Sequence, residues 1–144
     1  MAVKKLEKEE IDYREFKLIG ISTSLSDFTV CYHLNEILQA DFQRMDDHEV
    51  VLKNGQKSTF FRVFQWNDEV KDVQYLFADN RSGNELLFPE IPGVDYVLKI
   101  AGMLKDEDVQ PILKSLKEIE YVQTAMLLNT IKLKNSIEKS GLFF

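Results

Sequence analysis

Two carboxylates and a phenol stand close together in the chain, where Glu90 is followed by Asp95 and Tyr96. Two neighbouring carboxyl groups can act as an acid/base pair in catalysis, one donating and one accepting a proton. The same residues also fit a structural role. In that interpretation Glu90 accepts local amide hydrogen bonds, Asp95 caps the loop, and Tyr96 packs inward with its hydroxyl satisfied. The structural role is favoured, and no catalytic residue is predicted.

The backbone around these side chains is expected to be stiff. Pro89 and Pro92 each fix a φ angle, while Gly93 permits an angle that other residues rarely adopt. A stiff loop over residues 88–96, here called the 88–96 loop, can present its carboxylates to a partner. The apolar C-terminal end offers a second contact, which docks either on the protomer's own core or on another chain. The predicted partner-binding residues are Pro89, Glu90, Pro92, Gly93, Asp95, Tyr96, Leu142, Phe143 and Phe144.

Metal and thiol chemistry are not predicted. Cys31 and His33 lie two residues apart on a predicted helix and therefore point to different faces. A structural zinc site needs four converging ligands and a catalytic one needs three, but the sequence has one cysteine and only two histidines, the second being His48. We expect Cys31 to be a buried, inert thiol. Phosphate loops, nucleotide fingerprints and nucleophile elbows are missing from the sequence, and no cofactor is predicted.

Size and charge narrow the classes of function further. The 144 residues fit one domain, and 44% hydrophobic with 29% charged residues is a globular composition. A formal net charge of −6 argues against general nucleic-acid binding, which usually needs a basic surplus. The first twelve residues lack the apolar core of a secretory signal, and no apolar run approaches the length that spans a bilayer. We therefore expect a cytoplasmic protein that does not associate with membranes.

The first half of the chain predicts a strand, a helix and a meander. Residues 13–22 have a strand pattern, and Ser24 followed by Asp27 predicts a capping box for a helix over residues 25–39. The Asn54–Gly55 pair predicts a type I′ hairpin between strands at 49–53 and 58–66. Alternating residues at 73–77 predict a further strand.

The second half predicts a strand, a helix and a strand. Residues 94–101 alternate as a strand, and an apolar stripe from 109 to 119 predicts a helix. Pro111 is tolerated in the first turn of a helix, so Asp108 is predicted as its cap. Residues 121–128 return as a strand. The fold class is thus α+β, a ferredoxin-like plan with extra antiparallel meander strands and two helices packed on one face of the sheet.

The predicted organisation has three parts. Residues 1–12 form a flexible N-terminal segment, residues 13–128 the single α+β domain, and residues 129–144 a C-terminal tail of unassigned conformation.

The sequence FPEIPGVDY at residues 88–96 resembles the motif of the IPExxVDY family, bacterial proteins of about this length. Phe88 replaces the first Ile of the motif, whereas Pro89, Glu90 and the final Val-Asp-Tyr match it. The family has no established activity, so the resemblance implies no mechanism. Residues 95–124 are also similar to the second half of the ferredoxin-like, dimeric, amino-acid-sensing domain of Lrp/AsnC regulators. That resemblance implies the fold and dimerisation rather than a ligand.

These observations favour a non-enzymatic protein-binding adaptor or regulatory module that uses the 88–96 loop. Homodimer formation through a sheet edge or a helix face is a further expectation. One alternative is a small-molecule-sensing domain. Another is an RNA-associated factor, because Ser58–Phe64 resembles the aromatic strand of RNA-recognition motifs and a small basic cluster follows at Lys132, Lys134 and Lys139.

Overall fold

The computed structural model describes residues 15–52 and 57–141, and it confirms the predicted α+β fold. The strands are β1 Phe16–Thr23, β2 Gln43–Arg44, β3 His48–Leu52, β4 Lys57–Phe61, β5 Val63–Asp68, β6 Val73–Asp79, β7 Arg81–Ser82, β8 Glu85–Leu86, β9 Tyr96–Ala101 and β10 Val122–Leu127. The helices are α1 Asp27–Leu38, α2 Asp106–Lys117 and α3 Lys134–Ser140. Within the described residues, no helix is long and apolar enough to cross a bilayer.

The main sheet has six antiparallel strands in the order β10-β1-β9-β6-β5-β2. Four of these six strands alternate with the two helices along the chain in the order β1, α1, β6, β9, α2, β10. This order is strand, helix, two adjacent strands, helix, strand. This succession supports the ferredoxin-like plan. The α+β class is confirmed, and the ferredoxin-like plan itself stays a prediction. Strands β5 and β2 extend the sheet on one side. The last residues of β1 and of β6 both lie beside the start of β9, where Ile21 and Asp79 pair with Tyr96. Residues 20–25 and 79–96 therefore lie close together.

Helices α1 and α2 cover one face of the sheet, as the sequence predicted. Their apolar stripes pack on alternate residues of β1, β6 and β9, because successive strand side chains point to opposite faces. The buried residues of this first core include Ile19, Val30, Leu34, Phe77, Leu98, Val109, Leu113 and Leu116.

Both helices begin at residues that differ from the predicted caps. The Ser26 side chain, not that of Ser24, caps α1 by accepting a hydrogen bond from the Thr29 amide at 3.2 Å. Asp27 is thereby placed at the first helical position, where its side chain is free to turn inward.

Helix α2 begins at Asp106, earlier than predicted, so Pro111 lies inside the helix rather than in its first turn. The reason is that Asp108 reaches back and accepts from the Lys105 amide at 2.8 Å, which fixes the start of the helix. The proline costs this helix one backbone hydrogen bond, and three acidic residues in the first turn complement the helix dipole.

The opposite face of the sheet carries a second core, which the sequence did not predict. The hairpin β3–β4, the 88–96 loop and α3 cover this face. Leu128, Leu133 and Ile137 are buried in it, so the segment after residue 128 packs on the sheet as far as α3 extends. Burying side chains of this size contributes roughly 1.5 to 3 kcal/mol each. The Asn54–Gly55 turn, residues 1–12 and Leu142, Phe143 and Phe144 lie outside the described residues.

The predicted strand 58–66 is divided at Arg62. Its first half, β4, pairs with β3, while its second half, β5, joins the main sheet. The backbone carbonyl of Arg62 accepts a hydrogen bond from the Asp79 amide at 3.0 Å at this break. The division moves Phe61 into the second core and Phe64 into the first, and it leaves the Arg62 side chain at the junction.

Candidate functional site

The 88–96 loop is anchored by buried residues at two points and exposed between them. Phe88 and Val94 belong to the second core. Between these anchors, Ile91 is half-buried and four residues are exposed; we call these four, Pro89, Glu90, Pro92 and Gly93, the loop crest. Two tight turns shape the crest, with the Ile91 amide donating to the Phe88 carbonyl and the Val94 amide to the Ile91 carbonyl.

A buried asparagine side chain holds this loop from beneath. Asn80 is 0% exposed. Its Oδ1 accepts from the Phe88 amide at 2.7 Å, and its Nδ2 donates to the carbonyls of Val94 at 2.8 Å and Ile91 at 3.2 Å. The backbone amide of Asn80 donates to the Asp95 carbonyl, and its backbone carbonyl accepts from the Leu87 amide. One side chain thus satisfies the start, middle and end of the loop.

Asp95 ties the loop to the end of β1. Its Oδ2 accepts from the Thr23 amide at 2.8 Å, and its Oδ1 accepts from Arg81 Nε at 3.3 Å. The Arg81 guanidinium also donates to the Pro92 carbonyl. Ser22 Oγ donates to the Gly93 carbonyl at 2.6 Å. The crest carbonyls are therefore held by a side chain of β1 and a side chain of β7.

The structure does not join the other predicted site residues into one catalytic group. Glu90 accepts a hydrogen bond from Ser136 of α3. Tyr96 turns toward α1, where its hydroxyl donates to the Leu25 carbonyl at 2.7 Å. Glu90, Asp95 and Tyr96 thus each bond to a different partner. The Tyr96 hydroxyl is satisfied, as the structural interpretation expects, whereas Glu90 accepts from a side chain of α3 and not from the local amides that were expected.

The aromatic residues of Ser58–Phe64, the strand behind the RNA-associated alternative, are mostly inside the protein. Phe61 is buried in the second core and Phe64 in the first, where the Phe64 ring meets Phe28 and Phe77. Phe60 is exposed. Base stacking needs aromatic faces open to solvent, so this strand offers Phe60 rather than the paired platform of an RNA-recognition motif.

A buried pair of carboxylates forms a second polar site, on the helix side of the sheet. Asp27 of α1 is 2% exposed and Asp79 of β6 is 8% exposed. Arg62 Nε lies 3.0 Å from Asp27 Oδ2 and donates to Asp79 Oδ2 at 3.2 Å. One N–H cannot align with both carboxylates, and Asp27 Oδ2 and Asp79 Oδ1 have no hydrogen-bond partner within the described part of the chain.

Burial and the negative charge of Asp27 raise the pKa of Asp79 to about 7, against the opposing effect of Arg62. Burial raises the pKa of Tyr96 to about 12, with further contributions from Asp79 and Asp27. Burial likewise raises the pKa of Cys31 to about 12. A thiol with so high a pKa is a poor nucleophile near neutral pH. Asp79 therefore exchanges its proton close to neutral pH, whereas the Cys31 thiol and the Tyr96 phenol stay neutral there.

Sequence reasoning missed Asn80, Arg62 and the Asp27–Asp79 pair. Asn80 resembles an ordinary turn residue, and Asp27 resembles an ordinary helix-start acid. A usable signal is that Asp79 ends a strongly apolar strand, where an acid is costly unless it is paired.

The fold and loop together define a small α+β protein that carries a stiffly supported surface loop. The sequence matches no protein-family model, and the search of curated proteins finds no significant match to it.

Proposed function

We propose that this chain is a non-enzymatic adaptor or regulatory module that binds a protein partner in the cytoplasm through the loop crest. The observation that carries the proposal is the buried Asn80 side chain, which supports an exposed loop that contains two prolines. Recognition residues commonly lie on loops that a rigid scaffold positions. A loop already fixed in one conformation loses little entropy on binding, which leaves more of the contact energy for affinity.

The crest is suited to side-chain recognition more than to strand addition. The carbonyls of Ile91, Pro92, Gly93 and Val94 already accept hydrogen bonds from within the protein. A partner would therefore meet the two proline rings, the Glu90 carboxylate and the open surface at Gly93. Asp95 and Tyr96 face the protein and hold the loop in position.

We further propose that the chain belongs with the IPExxVDY proteins. The support is that the matching positions have definite physical roles here. Val94 is buried in the second core, Asp95 holds the Thr23 amide, and Tyr96 bonds to the Leu25 carbonyl.

Gly93→Arg tests the adaptor function, because a side chain at this position enters open space. A Cβ built there meets no atom within 4 Å, and the backbone does not require a positive φ. We expect the free energy of unfolding to change by less than about 0.5 kcal/mol, while the arginine blocks partner binding. The measurement is quantitative affinity purification of the tagged full-length chain from its native cells, after crosslinking, with and without ribonuclease.

The matched control is Gln74→Arg, an exposed position of equal charge change that pairs with Ala101 at the far end of the sheet. A partner kept by Gln74→Arg and lost by Gly93→Arg supports the proposal. A partner that survives Gly93→Arg, or the capture of none by the native chain, contradicts it. A partner lost on ribonuclease treatment favours the RNA alternative. Light scattering on the same variants shows whether the partner is a second copy.

Small-molecule sensing is a second candidate function, favoured by one observation. A groove of about 890 Å³ lies between the C-terminal end of α1 and helix α2. Ligand sites of small-molecule proteins fall in this range of volume.

A further inference from the structure

The groove between α1 and α2 has an apolar floor and walls. Val73 and Tyr75 of β6 and Ile100 of β9 form its floor, and Ile37, Leu104 and Ile112 are among its wall residues. The floor residues are buried, whereas the wall residues keep part of their surface open. The surface that a bound molecule could reach is therefore polar and apolar in about equal parts, with the hydrocarbon contributed by the wall residues.

The charge at the rim of this groove is predominantly negative. Asp68, Asp72 and Asp108 line it, against one ammonium from Lys71. The last residues of α1, as far as Leu38 and Gln39, also line it, and the last turn of this helix has no basic residue. The carbonyls at a helix C-terminus carry a partial negative charge. Both features favour a cation over an anion.

Tyr75 adds a polar group that the fold leaves unused. The residue is 6% exposed and lines the groove. Among residues 15–52 and 57–141 its hydroxyl has no hydrogen-bond partner, and its ring stacks on Trp66 at a centroid distance of 5.2 Å. The hydroxyl of a buried residue is usually satisfied. A ligand in the groove would give this hydroxyl a hydrogen-bond partner, whereas the ring itself is covered by Trp66 and Phe42.

We propose that this groove binds a small organic cation that has an ammonium group and an apolar body. The apolar body would lie against Ile37, Leu104 and Ile112, and the ammonium would face Asp68 and Asp72. This inference rests on the second candidate function and is independent of the loop crest.

The test uses three six-carbon probes that differ only in their polar end: hexylammonium, hexanol and hexanoate. Trp66, the only tryptophan of the chain, reports binding through its fluorescence because it stacks on Tyr75. We expect hexylammonium to bind about tenfold more tightly than hexanol, and hexanoate to bind most weakly, with the preference declining as salt is added. A parallel rise of the thermal midpoint with hexylammonium confirms that binding stabilises the folded chain.

Two substitutions separate charge from structure. Asp72 has a positive φ of 55°, which asparagine also tolerates. Asp68→Asn keeps a side-chain oxygen that can accept from the two amides now bonded to Asp68 Oδ1. The combined Asp68→Asn, Asp72→Asn variant should weaken hexylammonium binding about threefold to tenfold and leave hexanol binding unchanged. The matched control is Asp46→Asn, an exposed site outside the groove, which should leave all three affinities unchanged.

Each other outcome overturns the inference in a distinguishable way. Equal binding of all three probes, or unchanged hexylammonium binding by the double variant, contradicts cation recognition but keeps a small-molecule site. Failure of all three probes contradicts both the inference and the sensing function. Neither result bears on the loss of a partner in Gly93→Arg.

Discussion

Replacing Asn80 by alanine is expected to lower the free energy of unfolding by about 3 to 5 kcal/mol. The side chain accepts from the Phe88 amide and donates to the carbonyls of Ile91 and Val94. Alanine removes these partners and leaves at least the amide of Phe88 buried and unpaired, which costs about 1 to 3 kcal/mol. A small cavity adds to the loss. Urea denaturation followed by Trp66 fluorescence measures the effect.

Asn84→Ala is the matched control, since Asn84 is an exposed asparagine in the nearby β7–β8 turn. Its unfolding free energy should change by less than about 0.5 kcal/mol. Faster amide hydrogen exchange at Phe88 in Asn80→Ala would place the damage in the loop. Equal stabilities of the two variants would show that the Asn80 bonds contribute nothing net.

The two loop substitutions should also act differently on the proposed partner. Gly93→Arg leaves the loop fixed and adds a steric block, so it should remove binding without a loss of stability. Asn80→Ala leaves the crest chemistry intact but frees the loop, so a partner must restore its order at an entropic cost. Weaker binding by Asn80→Ala with native binding by Gly93→Arg would place the contact elsewhere on the protein.

Local periodicity explains why much of the fold was predictable. The stripes Val30–Leu34 and Val109–Leu113–Leu116 repeat at helical spacing, and β1 and β9 alternate between the two cores. Such patterns can be recognised from a short stretch of sequence alone. The α+β class and the placement of α1 and α2 on one face follow from them. The hairpin strands β3 and β4 were likewise visible through their turn signal and alternation.

Features that depend on partners far apart in the sequence could not be predicted. Asn80 bonds to residues eight to fourteen positions away, which no local pattern encodes. The strand break at Arg62 has the same origin, because one half of the predicted strand pairs with β3 and the other with β6. The second core was missed because its parts come from a hairpin, a loop and α3, which lie far apart in the sequence and meet only in the fold.

The candidate loop was found for one correct physical reason and one incomplete one. Two prolines indicated a stiff loop, and the crest is exposed, but Gly93 does not adopt the unusual φ angle that a glycine permits. The sequence could not show that Asp95 and Tyr96 face the protein, because a carboxylate in a stiff loop can bind a partner or a backbone amide equally well. Their bonds to Thr23 and Leu25, more than 70 positions away, decide between the two.

Asp79→Asn is expected to stabilise the protein at pH 8, by on the order of 4 kcal/mol, and to have little effect near pH 4. The pKa of Asp79 is about 7 in the folded chain against 3.8 for an ordinary aspartate, chiefly because of burial and the charge of Asp27. Between these two values the folded state keeps a proton that the unfolded state has lost. Stability therefore falls as the pH rises through this window, and the loss is complete above the folded pKa. Asparagine keeps the shape of the protonated acid at every pH, so it escapes this loss.

Urea denaturation of the native chain and of Asp79→Asn at pH 4, 6 and 8 checks this prediction. It gives the difference in the free energy of unfolding between the two proteins at each pH. The difference should grow with pH and level off above about pH 7, because Asp79 is then ionised in both the folded and the unfolded chain. Asp41→Asn, at an exposed position, provides the control and should show no such trend. A variant less stable than the native chain at pH 8 would mean that the Arg62 contact to an ionised Asp79 outweighs burial and repulsion. The carboxylate pair would then be an ordinary buried ion pair, ionised at neutral pH and destabilised by acid.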